Sequence, residues 1–129
     1  VINNSLQLAT RVGNSNVGKV LSINFTKVEF HNNQLDKDYF LFMFNTYKDV
    51  KRQKDRELQG TGLILRLPLR AIGEITIPIV SLKEQQRIGQ IYIETMKLQS
   101  RLNRYSNLIE QFTNSVIEDT LQGGGLNEK

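Results

Sequence analysis

Few side chains in this 129-residue chain are suited to covalent or metal chemistry. There is no cysteine, which excludes disulfides, thiol nucleophiles and thiolate-bound zinc. His31 is the only histidine, so no cluster of histidine ligands can form, and a Ser-His-Asp triad would rest on that one residue. Between Phe30 and Asn32, it reads as a surface turn residue. The carboxylates are scattered and sit mostly beside bases, so no paired acid and base stands out. Gly13-Asn14-Ser15-Asn16-Val17-Gly18-Lys19 has the look of a phosphate loop. A Walker A loop needs a Ser or Thr hydroxyl for Mg²⁺ after its lysine, and here Val20 follows Lys19. Nucleotide binding is therefore rejected. The expectation is a protein that is not an enzyme and has no metal and no cofactor.

What remains is chemistry toward polyanions. The net charge is +4, and residues 1–82 hold all of the excess, with 11 Lys/Arg against 7 Asp/Glu. Residues 83–122 carry five of each sign. A basic head on a neutral tail fits a head that binds a polyanion, such as nucleic acid, and a tail with another task. The same +4 is also an ordinary solubility charge. Two stretches carry the candidates. In the Gly13–Lys19 region, Arg11, Asn14, Ser15, Asn16 and Lys19 can project to phosphates or base edges, and Asn and Arg are side chains that contact base edges bidentately. A polar hairpin turn is the favoured alternative for this segment. In the Lys48–Arg56 stretch, Lys51, Arg52 and Lys54 are the phosphate candidates, and a solvated amphipathic face explains that stretch about as well.

The elements that must position these residues are short at first. Leu6–Val12 alternates apolar and polar, the period of a half-buried strand. Gly13–Gly18 is a turn cluster; Val20–Phe25 and Val28–Phe30 read as further strands, and His31–Gln34 as another turn. One helix is expected from Asp36 to about Leu58, with Asp36 or Asp38 capping it. Phe40, Phe44, Tyr47 and Val50 form its buried stripe, and Gly60-Thr61-Gly62 ends it. Leu63–Leu67 and Glu74–Ile79 read as strands kept at edges or ends by Pro68 and Pro78. Ser81-Leu82-Lys83-Glu84 then matches a capping box. From there to Gln122 only Gly89 interrupts a helical run, and Gly123-Gly124-Gly125 is expected to stop it. Such a helix is about 60 Å long. It should therefore extend beyond a head of this size.

That helix has a register. Ile88, Ile91, Thr95, Leu98, Leu102, Tyr105, Ile109, Phe112 and Val116 are spaced alternately three and four apart, and eight of the nine are apolar. This is the pattern of a coiled coil whose seam another helix must cover. Met96, Leu108, Ile117 and Leu121 widen the stripe. A helix folding back on its own head is the alternative, but a head this small cannot cover four heptads. The partner helix is expected from a second molecule.

Residues 58–88 resemble one family. Leu58-Gln59-Gly60-Thr61-Gly62, Leu69-Arg70-Ala71-Ile72 and the run Ile75-Thr76-Ile77-Pro78-Ile79-Val80-Ser81-Leu82-Lys83-Glu84-Gln85-Gln86-Arg87-Ile88 look like the end of a target recognition domain of type I restriction–modification specificity subunits. There a strand "I-x-I-P-x-P-x-L" runs into "E-Q-Q-x-I", which opens a long helix; Val80 replaces the usual second proline here. Arg11–Val20 is similar to the family's "R-x-G-x-x-x-G-K-V" strand–turn–strand, and Tyr39-Phe40-Leu41 sits where such domains carry a helix. The resemblance implies a non-catalytic subunit. Its two recognition domains read half-sites of double-stranded DNA, and two long antiparallel helices space them. The methyltransferase subunit docks on that frame and the nuclease subunit joins it. Gln59, Thr61 and Arg66, inside or beside the resembling segment, complete the DNA-binding candidates.

The expected architecture is α+β. Residues 1–82 form a partial recognition-like head of short strands with one helix, 83–122 a long coiled-coil dimerisation and spacer helix, and 123–129 a flexible tail. About the first third of a standard recognition domain is expected to be missing, which makes the chain a truncated specificity-subunit-like module. It is expected to bind DNA weakly and to form a homodimer or pair with another specificity subunit. The dimerisation residues would be Ile88, Ile91, Leu98, Leu102, Tyr105, Ile109, Phe112 and Val116. The rival is an interaction protein that has lost DNA reading and only pairs with specificity or methyltransferase subunits. No run reaches the ~18 apolar residues of a membrane span. Val1-Ile2-Asn3-Asn4 is neither a signal nor a transit peptide, so the expected location is cytoplasmic. The absent initiator Met fits removal, shifted numbering or a piece of something longer.

Overall fold

A computed structural model describes residues 1–125. The chain divides into two compact units, Val1–Tyr92 and the stretch from Ile93 onward. The architecture is α+β, with two small sheets and a long C-terminal helix.

The first sheet is built around β1 (Ile2–Asn3), which pairs antiparallel with β2 (Leu8–Ala9) on one side and β3 (Phe25–Thr26) on the other. The β1–β2 connection is shaped by Asn3, whose Oδ1 accepts from the backbone N–H of Ser5 at 3.1 Å and of Leu6 at 3.0 Å. Gln7 closes it at φ 55°, the left-handed region. That turn consumes the first two residues of the Leu6–Val12 run, and β1 is only two residues long, so the expected strand shrinks to Leu8–Ala9. The Val20–Phe25 strand is likewise reduced to Phe25–Thr26, and Val28–Phe30 has no ladder. Gly13–Gly18 is a turn, as expected, with a 3-10 turn at Asn14–Asn16 and Gly18 at φ 84°. Beyond β2 the sheet ends on a side chain: Asn45 Oδ1 accepts from Ala9 N–H at 2.7 Å and its Nδ2 donates to Ala9 O at 2.9 Å.

The helix expected over Asp36–Leu58 is two helices, α1 (Lys37–Thr46) and α2 (Lys48–Glu57). Asp36 caps α1, accepting from Asp38 and Tyr39 N–H at 3.0 and 2.9 Å. Tyr47 breaks the run by turning extended, at ψ 128°. The head therefore has more than the one helix anticipated. The core is Ile2, Ala9, Tyr39, Leu41, Met43, Phe44, Val50, Leu67 and Ala71. Phe40 stacks on Phe44 at 5.7 Å and meets Phe30 edge-on at 5.3 Å.

The glycine segment Gly60–Gly62 turns a hairpin, β4 (Gln59–Thr61) with β5 (Ile64–Arg66), rather than only ending a helix. Gly62 at φ 67° opens its two-residue connection, the position that a tight hairpin reserves for glycine. Glu74–Ile79 is not a strand. Its first residue ends a short helix, α3 (Leu69–Glu74), and Thr76 finds its backbone partners on Gln53, whose Oε1 accepts from Thr76 N–H at 2.8 Å while Nε2 donates to its carbonyl at 3.0 Å. A side chain thus replaces the neighbouring strand, and Pro78 has no N–H to offer one.

The last helix, α4, spans Leu82–Gly125. Ser81 Oγ accepts from Glu84 N–H at 3.3 Å, the expected capping contact. Gly123–Gly125 do not stop it: glycine costs only about 1 kcal/mol each in a helix, and Gly123 and Gly124 keep negative φ. The rest of the expected tail, 126–129, lies outside the described residues.

Candidate nucleic-acid interface and helix seam

Within Val1–Tyr92 the start of α4 is clasped by the head. Gln85 is fully buried. Its Oε1 accepts from Asp36 N–H at 2.9 Å, and its Nε2 donates to Gln34 O and Val80 O, both at 2.9 Å. Both N–H groups and the oxygen of that amide have a partner, which is the condition for burying it at little cost. One turn on, Gly89 lies against α1: a Cβ there would be 2.7 Å from Tyr39 N and 2.9 Å from Asp36 Oδ1. Tyr92 continues the contact, accepting from Asn45 Nδ2 at 3.1 Å and meeting Phe42 at 5.8 Å. Tyr39 is buried and donates to Pro78 O at 2.8 Å; burial pushes its phenol pKa up. These residues were not among the site candidates. The only sequence signal for Gln85 was its place in the "E-Q-Q-x-I" run, and Gly89 read merely as a tolerable glycine.

The DNA candidates fall into three groups. Asn14, Ser15 and Asn16 sit exposed on the 3-10 turn, flanked by Arg11 and Lys19. Arg11 pairs with Asp38 at 3.0 Å and Lys19 donates to Asn16 Oδ1 at 2.8 Å. Arg11, Asn16 and Lys19 border an open groove of about 860 Å³ that Val12, Val17 and Phe25 also line. On α2, Lys51 is exposed and Arg52 pairs with Asp49 at 3.2 Å. These exposed pairs are weak and can exchange for a phosphate.

Lys54 belongs elsewhere. It is buried, and its ammonium donates to Phe44 O at 2.6 Å and Gln7 O at 3.0 Å, 4.4 Å from the centre of the Phe44 ring. Phe44 O is among the last carbonyls of α1, so this cation caps a helix C-terminus and ties it to the β1–β2 turn. Burial lowers its pKa; Asp55 opposes that shift and Lys51 adds to it. It is not placed to reach a phosphate. Its sequence neighbours Lys51, Asp55 and Arg56 are charged, which placed it on a charged face.

The third group is brought together by the hairpin. The β4–β5 register sets Gln59 opposite Arg66 and Thr61 opposite Ile64, so Gln59, Thr61 and Arg66 share one face. Every residue from Gln59 to Arg66 is exposed. Gly60 allows the strands to close: it sits at φ 147°, and a Cβ there would be 2.1 Å from Ile64 O.

The seam candidates lie along α4. Ile88 is half-buried in the first unit, and Ile91 is exposed there. In the second unit Leu98, Leu102, Tyr105, Ile109, Phe112 and Val116 are all exposed, from 47% at Val116 to 71% at Phe112. They form a continuous exposed apolar stripe along the helix.

Among the described residues no group of three or more His, Cys, Asp and Glu could hold a metal ion, and no helix is long and apolar enough to cross a membrane. No curated protein and no solved structure matches the chain. The family model for the type I restriction modification DNA specificity domain matches residues 7–111, which takes in the 3-10 turn, the hairpin, the Gln85–Gly89 clasp and most of the seam. The match runs through well over half of the sequence, and the chain belongs to that family of DNA specificity domains.

Proposed function

We propose that this chain is a non-catalytic DNA-binding module of a type I restriction–modification system that associates, through α4, with a second copy or with another specificity subunit. The supporting observation is the exposed seam of the second unit, which is also electrically polar. Between 93 and 107, Lys97, Arg101 and Arg104 outnumber Glu94; between 108 and 122, Glu110, Glu118 and Asp119 stand without a base. Two such helices side by side in opposite directions set basic halves against acidic ones, whereas a parallel pair aligns like with like. Association with the methyltransferase and nuclease subunits follows from the family's division of labour, and Arg11, Lys19, Lys51 and Arg52 serve as phosphate contacts of the head.

Sedimentation tests the pairing. A dimer is expected at tens of micromolar, and a monomer at that concentration rejects it. DNA binding is tested by anisotropy on a duplex across salt. Each neutralised phosphate lowers log K with a slope of about 0.9 per unit log salt, so a four-contact head loses roughly two orders of magnitude between 50 and 200 mM. Lys51→Glu with Arg52→Glu should weaken all sequences alike, since phosphate contacts position a protein without reading bases.

The second reading, an interaction protein that no longer reads DNA, is favoured by the internal engagement of Arg11, Arg52 and Lys54. Failure of the wild-type chain to bind duplex at low salt would select it.

A further inference from the structure

We infer that the β4–β5 hairpin is the base-reading element of the head: a two-stranded ribbon that enters the major groove, with Arg66 and Gln59 on neighbouring purines and Leu63 at its tip. The inference rests on the DNA-binding reading above and assigns the sequence selection within it.

Four observations carry it. Gln59 and Arg66 are directly opposed across the ladder, with Thr61 on the same face. Opposed side chains leave the backbone about 5 Å apart at Cβ, close enough to address adjacent base pairs. Arg pairs bidentately with guanine O6 and N7, and Gln with adenine N6 and N7. Second, the guanidinium of Arg66 makes no hydrogen bond or ion pair among the described residues, unlike those of Arg11, Arg52 and Arg70. It is free to act as a donor fork without first breaking a pair. Third, the shape fits. Two strands about 4.8 Å apart enter a groove about 12 Å wide.

Fourth, the tip is apolar where a solvated loop would be polar. Leu63 is fully exposed and Ile64 is 67% exposed. In the major groove such side chains find the methyl group of thymine. The glycines let the ribbon close into this tight two-stranded form, since Gly60 and Gly62 hold positive φ that other residues adopt only with strain. The Arg11–Lys19 segment contrasts with it: its two cations are already engaged, by Asp38 and by Asn16.

The test is selection of the full chain against random-sequence duplex DNA at low salt, repeated with variants. The wild type is expected to enrich sites in which a guanine adjoins an adenine. Arg66→Ala should lose the guanine preference by roughly 5- to 150-fold, and Gln59→Ala the adenine preference by a similar factor. Both should keep the wild-type circular dichroism and salt slope, because neither side chain supports the core. Gly60→Ala, which disrupts the hairpin itself, should lose both preferences. A benzoylphenylalanine in place of Leu63 should crosslink to the duplex. Wild-type binding with the same enriched site in Arg66→Ala overturns the inference alone, as do wild-type binding with no enriched site and crosslinking from position 63 only to protein. No wild-type binding at about 50 mM salt overturns the DNA reading, and the inference with it.

Discussion

The two stretches of α4 have opposite surroundings. Before Ile93, a polar side chain, Gln85, is completely buried, and every partner it needs is present. After Ile93, large apolar side chains stand in the open. One helix thus carries a finished contact and an exposed apolar stripe. The difference lies in chemistry as much as in exposure. The finished contact is specified by hydrogen-bond geometry and by a glycine that lets two backbones approach. The stripe is specified by periodicity alone.

The sharpest way to break the comparison is to damage the seam and spare the clasp. Leu102→Asp with Ile109→Asp should weaken association by more than about a thousandfold, since each would bury an unpaired charge. Thermal unfolding of the Val1–Tyr92 unit should keep its midpoint, measured by circular dichroism on the separated monomer. The converse variants should lower the head's stability and leave sedimentation at saturating concentration unchanged. Lys54→Ala is expected to cost about 2–4 kcal/mol in denaturant melts, because Phe44 O and Gln7 O lose their donor. The wild type carries a pH signature that this variant lacks. Lys54 titrates below 10.5 when folded, so the unfolded chain holds its proton longer, and this group's contribution to stability rises with pH across that interval. Gly89→Ala should cost about 1–2 kcal/mol net: alanine favours the helix, but its Cβ would lie 2.7 Å from Tyr39 N. The smallest effect is expected for Asp36→Ala, at about 1 kcal/mol, from loss of the α1 cap.

What was legible in the sequence was what local chemistry decides. Asp36 and Ser81 announce their helices because a capping oxygen needs only the N–H groups two or three residues on. The long helix and its apolar stripe were legible from periodicity. The hairpin residues Gln59, Thr61 and Arg66 were marked, yet their shared face depends on a ladder register that no single strand shows. The strands over 6–12, 20–25 and 74–79 read wrongly for one reason. Alternation reports which side of a segment is apolar, not whether a neighbour exists to receive its hydrogen bonds. Asn3, Ser22 and Gln53 supply those bonds otherwise, through turns and side chains. The break at Tyr47 has no Gly or Pro to signal it, and the apolar stripe of Phe40, Phe44, Tyr47 and Val50 runs straight through it. Lys54 was misplaced because a lysine that closes a helix end looks, letter by letter, like one that faces water.

The amide of Asn45 imitates the main chain of a neighbouring strand, offering one acceptor and one donor at the spacing Ala9 requires. Growth of the sheet is therefore blocked on the β2 side by a single side chain. An incoming strand from another molecule would find that rung already taken and could add only next to β3. Exchange of Asn45 for aspartate preserves shape but turns the donor into a second acceptor facing a carbonyl. A change of one heavy atom would then convert a closed border into an open template for intermolecular strand addition.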